Sequence, residues 1–366
     1  MLLFLTLTQR CQLRCLYCGS STNEDIEDVA CHPPEITYDY KHLEKLHSVK
    51  DLVVCFYGGE PLLQMSCIDS AIKCLPNAKF CLQTNGLLLN KVPDEILHKL
   101  DTILVSIDGD EATTDFNRGK GTYKKAIDNV KGIRGRKYKG DVVARMTVSE
   151  ICDVYKSVTH LLSLGIFDHV HWQLDCLWDS DMNSRYKDFH TWRDTNYNPG
   201  ITKLLDFFME NLRKGIVPGI VPFQGLLKSF INGEKVKRIR CGAGSTAFNV
   251  TTGGLINACP IAPEFDPLND LTKEDFKPED LIDKKLVGPP CSECPMFEKC
   301  GGRCLYTNRT QWWGTEGHKA VCKTVWHLIN GLEKNVPEIK SLIEAKTIRK
   351  ADIEYPIYNN SCEIIP

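Results

Sequence analysis

The chain has 366 residues, in which 45 Lys and Arg stand against 47 Asp and Glu, for a formal net charge of −2. That balance excludes a nucleic-acid binder working by bulk charge, and 42% hydrophobic with 25% charged residues excludes wholesale disorder. The 18 cysteines are too sparse for a small secreted disulfide scaffold. Neither a secretory signal nor an apolar run of about 20 residues is present, so no membrane partner is expected, the setting is cytoplasmic, and the thiols point to metal or cluster ligation.

In chain order, Leu2–Thr8 reads as a strand, followed by strands at Asp51–Phe56, Lys79–Thr84, Asp101–Ile107, Asp141–Val148 and His169–Leu174. Amphipathic stretches fall between them near Tyr38–Val49, Ser66–Leu75, Pro93–Lys99, Thr122–Ile133 and Cys152–Leu164. Strands alternating with helices predict an α/β fold of parallel βα units, either an open doubly wound sheet or a curved, partly closed barrel. Both put their chemistry in loops after the strands' carboxyl ends. Alternation stops at Cys176. A polar connection, Asp179–Gly200, leads to helices at Ile201–Arg213 and Phe223–Asn232, a cysteine-rich stretch, a helix at Thr324–Leu332 and a charged tail. The expected domains are 1–176, 177–239, 240–325 and 326–366.

The first strand runs into Cys11, Cys15 and Cys18, spaced C-x3-C-x2-C. Three thiolates hold three corners of a [4Fe–4S] cubane and leave the fourth iron open, whereas four would close it; a zinc half-site completed by His32 is the plainer alternative. Later strands end in Gly58-Gly59-Glu60-Pro61, Gln83-Thr84-Asn85-Gly86 and Ser106-Ile107-Asp108-Gly109. The first of these is also readable as a tight turn with Pro61 at a helix start. Seven further cysteines follow: Cys241, Cys259, Cys291, Cys294, Cys300, Cys304 and Cys322. Seven thiols exceed one tetrahedral zinc site and fall one short of two fully cysteinyl clusters. The other eight, Cys31, Cys55, Cys67, Cys74, Cys81, Cys152, Cys176 and Cys362, are scattered, and most read as small buried hydrophobes.

The cysteine spacing, with Tyr17 before the third thiol, resembles the radical S-adenosylmethionine (SAM) superfamily. The resemblance implies a partial (β/α)6 barrel, a cluster whose open iron binds SAM, and a 5′-deoxyadenosyl radical that abstracts hydrogen from a substrate. It implies a SAM pocket of Tyr17, Gly58, Gly59, Glu60, Pro61, Gln83, Asn85, Ser106, Asp108, Arg118 and Arg145. In that pocket Glu60 would accept from the methionine ammonium, and Ser106, Asp108 and Arg118 would bind ribose or carboxylate; Arg118 as a surface charge, and Gln83 and Asn85 as turn residues, stay open. The later cysteines resemble the SPASM domain of peptide-modifying relatives, which carries two auxiliary [4Fe–4S] clusters, for three clusters in all. Carried over by position, Cys291, Cys294, Cys300 and Cys322 would hold one, and Cys241, Cys259 and Cys304 the other. A fourth ligand is not evident there, because Ala243–Phe248 contains no cysteine; either its iron is open, or Cys176, Cys362 or a non-cysteine residue supplies the ligand.

Pro260 stands where sulfatase-maturing relatives carry a general-base Asp, which disfavours formylglycine formation. Arg145, Gln173, Asp175 and Cys176 are candidate substrate-facing residues, Cys176 as a hydrogen-atom donor or simply a buried thiol. Trp172, Trp178, Trp192, Trp312 and Trp313 either line a peptide groove or pack. The implied partners are a peptide or protein substrate, a separate recognition protein for any leader peptide (the first strand starts at Leu2), and a flavodoxin or ferredoxin. A small-molecule substrate is the alternative, and a non-catalytic zinc or iron–sulfur protein the contrasting class.

Overall fold

A computed structural model of the chain describes residues 1–18, 33–175, 186–261, 267–284 and 286–366. Cys31, His32, Cys176 and Trp178 lie outside these residues. Six parallel strands, β1 (Leu2–Thr8), β2 (Val53–Gly58), β3 (Lys79–Thr84), β4 (Thr102–Ser106), β5 (Asp141–Val148) and β6 (His169–Leu174), lie side by side in chain order. All seven residues of β1 are buried. It lies inside the sheet with both faces covered, which is why it reads as a continuous apolar run. The register places Phe4 beside Cys55 and Cys55 beside Cys81 on the concave face, with Ser106, Arg145 and His171 in a row nearer the strands' carboxyl ends.

Beyond β1 the sheet continues into the cysteine-rich stretch. The strand β7 (Ala247–Val250) pairs parallel with β1, and the antiparallel strands β8 (Leu255–Asn257) and β9 (Asn269–Asp270) follow. Residues on either side of the expected boundary near 240 thus share one hydrogen-bonded sheet.

Four elements differ from the sequence reading. Tyr40–Ser48 is a 3-10 helix. An eight-residue helix, Glu111–Arg118, follows β4; it was not expected because the residues it buries, Thr114, Asn117 and Arg118, are polar. The connection expected to be polar before residue 200 is helical: Phe189–Trp192 passes through a π turn at Arg193–Tyr197 into Asn198–Arg213. Tyr186, Phe189, Trp192 and Tyr197 on it are buried and pack ring to ring with one another and with Trp313. The last helix runs from Gly314 to Glu344, 31 residues with Pro337 inside, rather than over Thr324–Leu332.

After this helix the chain turns back under the sheet. Tyr355 and Cys362 join Leu2, Phe4, Cys55, Cys81, Leu104 and Val143 in one buried cluster on the concave face. The Tyr355 ring stacks on His169 at 3.7 Å and its hydroxyl donates to Asp141 at 2.6 Å, while the Tyr358 and Thr102 hydroxyls meet at 2.6 Å. Segment 355–366 therefore fills the space that a closed barrel would give to its own inward side chains.

Candidate active site

The Cys11–Cys18 loop is fixed from three sides. The turn after β2 comes up beneath it: the Gly59 amide donates to the Thr8 carbonyl and the Glu60 amide to that of Arg10, each at 2.8 Å. A Cβ on Gly58 would lie 2.3 Å from the Thr8 oxygen, and one on Gly59 2.2 Å from the Arg10 oxygen. Gly58 also has φ +125°. Glycine is required at both places by the approach of two backbones. The sequence assigned these glycines to a ligand; the structure gives them to the loop that bears the thiols.

The Glu60 carboxylate is fully buried and accepts from the Leu62 amide (3.0 Å), the Thr84 hydroxyl (2.8 Å) and the Asn85 amide (2.8 Å). Burial pushes it up to about 7 against the pull of these donors. Pro61 is the first residue of the turn that Glu60 caps. Asn85 links this acid to the thiols, with its Nδ2 3.8 Å from the Cys11 sulfur. Its Oδ1 accepts from Gln12 at 3.3 Å. Gln83, also on β3, has its Oε1 buried without a protein partner.

The third support is a buried ion pair. Arg118, only 7% exposed, grips fully buried Asp108 through Nε at 2.9 Å and Nη2 at 3.0 Å. Tyr17 donates to the same carboxylate at 2.5 Å, and the Thr147 amide and Asn117 side chain complete it. Asp108 thus accepts five hydrogen bonds from the protein and in this structure anchors Tyr17, and with it the loop. Arg118 is correspondingly no surface charge. It faces Cys15, whose thiol burial raises to about 11 while Arg118 draws it back. Ser106 lies beside Arg145 in the register. Arg145 turns toward the C-terminal segment, donating to Gln173 at 3.0 Å, to the Ser361 carbonyl at 2.9 Å and to both Glu363 oxygens.

The later cysteines fall into two groups. Cys291, Cys294, Cys300 and Cys322 line one cleft enclosing about 680 Å³ of empty space, part of it open to solvent. Arg303 and His318 line it too, and the His318 Nε2 is 3.6 Å from the Cys291 sulfur. The Arg240 guanidinium is close enough to act on Cys300. Cys241, Cys259 and Cys304 form the second group: each of the first two thiols is raised first by burial, and then in part by its charged neighbours, Cys304 among them. Burial takes Cys241 to about 12. Tyr57, at the end of β2, stands within electrostatic reach of both Cys18 and Cys259. Among the described residues no three His, Cys, Asp or Glu side chains converge as on a single metal ion; the thiols sit around wider spaces.

The donor chemistry fits iron–sulfur ligation. Every one of these ten thiols is free, and cationic Arg118, Arg240 and Arg303 lie where bound thiolates would bring negative charge. Arg303 and His318 escaped the sequence reading. His318, one turn before Cys322 in a helix, carried a usable signal: residues four apart share a helix face. Of the tryptophans, Trp172 and Trp192 are buried, whereas Trp312 is 48% exposed at the rim of the four-thiol cleft.

Residues 5–150 match the model of the Radical SAM superfamily. The curated relatives include the radical SAM cyclopropyl synthase TigE of Paramaledivibacter caminithermalis, 23% identical over 339 residues, 82% of this chain and 67% of TigE. An uncharacterized protein of Methanocaldococcus jannaschii is 30% identical over 140 residues, so this chain spans less than half of it, 46%. The fold is that of anSMEcpe, solved with bound AdoMet: TM-score 0.73 at 17% identity, covering 95% of this chain and 100% of that one. Streptococcus suis SuiB, solved with its precursor peptide SuiA, aligns with TM-score 0.56 at 14% identity, over 84% of this chain and 72% of SuiB. Among the described residues no helix is long and apolar enough to cross a membrane.

Proposed function

We propose that the chain is a SPASM-type radical SAM enzyme that modifies a peptide or protein. The observation that carries this reading is the sorting of the seven later cysteines into a group of three and a group of four, beside a first group of three at Cys11, Cys15 and Cys18. When bound, a [4Fe–4S] cluster on Cys11, Cys15 and Cys18 together with SAM supplies a 5′-deoxyadenosyl radical, which takes a hydrogen atom from the substrate. The chain's own residues hold that site rigid. Asp108 and Arg118 fix Tyr17 and the loop, Glu60 ties the turn after β2 to Asn85, and the two glycines bring that turn against the loop. Gln83, with a buried unpartnered oxygen, is the residue assigned to SAM. Gln173 and Trp312 are the residues this reading assigns to the substrate. TigE acts as a cyclopropyl synthase, anSMEcpe has been solved with a Cp18Cys peptide and SuiB with its precursor peptide; a peptide substrate here follows that company. A flavodoxin or ferredoxin is the proposed electron source.

Iron and sulfide counting on anaerobically reconstituted protein, with a reduced incubation with SAM, tests this. About twelve irons per chain with 5′-deoxyadenosine formed is the expected result. Zinc without iron, or no cleavage of SAM, overturns it.

A further inference from the structure

Among the described residues no fourth cysteine joins the group of three thiols, and the C-terminal segment passes beside Cys241. Asn359 Nδ2 donates to the Cys241 carbonyl at 3.0 Å, and Arg303, the residue before Cys304, donates through Nε to the Pro366 oxygen at 2.9 Å. Glu363 lies between these two contacts, the first made to the Cys241 backbone and the second to an arginine that also lines the four-thiol cleft. Two bonds fix the backbone there: Arg145 to the Ser361 carbonyl at 2.9 Å, and His171 Nε2 to the Glu363 carbonyl at 2.6 Å. Cys362 is 3% exposed and belongs to the apolar cluster with Cys55 and Cys81. Glu363 stands within electrostatic reach of Cys241 and Cys259, and of Cys55 and Cys362 as well. Arg145 Nη2 contacts both carboxylate oxygens, at 3.2 and 2.9 Å. A carboxylate offers about four lone-pair positions, so the arginine leaves room for a metal. Ligating carboxylates are ordinarily held by such a hydrogen-bonded partner.

We propose that Glu363 is the fourth ligand of the iron–sulfur cluster held by Cys241, Cys259 and Cys304, with Arg145 as the positioning residue that aims its carboxylate. This rests on the reading of that group as a cluster site. It closes the fourth corner with an oxygen donor, one that a substrate thiolate, a softer ligand for iron, would displace.

The test uses the full chain with Cys11, Cys15 and Cys18 replaced by Ala, reconstituted anaerobically so that only the later groups hold iron. Iron is counted and Mössbauer and electron paramagnetic resonance spectra are recorded, with Glu363 intact, as Glu363→Gln and as Glu363→Cys. With Glu363 intact, about eight irons are expected. Glu363→Gln should lose about one iron, or change the spectrum of one cluster while the other stays constant and reports an intact fold. Glu363→Cys should restore the iron with an all-thiolate spectrum. Spectra and iron unchanged in Glu363→Gln overturn the assignment while leaving the cluster site standing. About four irons with Glu363 intact overturn the assignment and the cluster reading together.

Discussion

Asp108 shows how a residue of a site can serve by holding the site's own frame. Its side chain is spent on Arg118, Tyr17, Asn117 and the Thr147 amide. Removing one partner of a buried pair strands the other charge away from water, at a cost of about 3–5 kcal/mol. Asp108→Ala is expected to lose that much in chemical denaturation. Tyr17→Phe should lose about 1.5–3 kcal/mol, the worth of one hydrogen bond to a charged group. Gly59→Ala acts on a different quantity. Its Cβ would sit 2.2 Å from the Arg10 carbonyl oxygen, an atom of the loop itself. The loop must move, so this variant should lose about four irons per chain while the later groups keep theirs, as read by iron counting and by absorption near the charge-transfer bands. At this scale the sequence located the residues well and their jobs less well. Motif spacing names Gly58, Gly59, Glu60 and Asp108, but only coordinates show that their partners are backbone and side chains of the same chain.

At the scale of elements, the strands were legible because each is an apolar run closed by a turn. β1, β3, β5 and β6 have the expected bounds, and β2 and β4 differ by a residue or two at their ends. Helices were legible where they bury an apolar stripe. Glu111–Arg118 buries polar groups instead, so its hydrophobic pattern is silent, though it supplies the Asn117 carbonyl to the Leu16 amide at 2.9 Å. The Gly314–Glu344 helix was hidden for the opposite reason. Gly317 and Pro337 stand outside the expected helix and read as breakers, yet Ala320, Val321, Val325, Leu328, Ile329 and Leu332 form a buried stripe that holds it to Asn198–Arg213 and Val221–Asn232. Packing outweighs propensity there. Pro337, in an exposed stretch of that helix, remains unfavourable by up to about 3 kcal/mol. Pro337→Ala should therefore raise stability by about 1–3 kcal/mol, checked by thermal unfolding, with iron content unchanged.

Over the whole molecule, the least legible feature is the placement of segment 355–366. Its residues, YPIYNNSCEIIP, carry neither strand alternation nor helical period. It is ordered by what it meets on the concave face: Asp141, Thr102, His169, Arg145 and His171. The Tyr355 hydroxyl donates to Asp141 and accepts from Asn360, each at 2.6 Å. Tyr355→Phe should cost about 1–3 kcal/mol and speed amide hydrogen exchange selectively across 355–366. Exchange that rises evenly over the sheet would show instead that the segment and the sheet open as one unit.

The sheet's order has a bearing on how the chain is made. The inner edge of β1 is complete only when Ala247–Val250 arrives, more than two hundred residues later, and the cover of the concave face comes from Val221, Ala247, Tyr355 and Cys362, later still than the six strands. During synthesis the nascent sheet must wait with one bare edge and one bare face, the state in which parallel sheets recruit wrong partners. Pairing this distant also slows the search for the native arrangement.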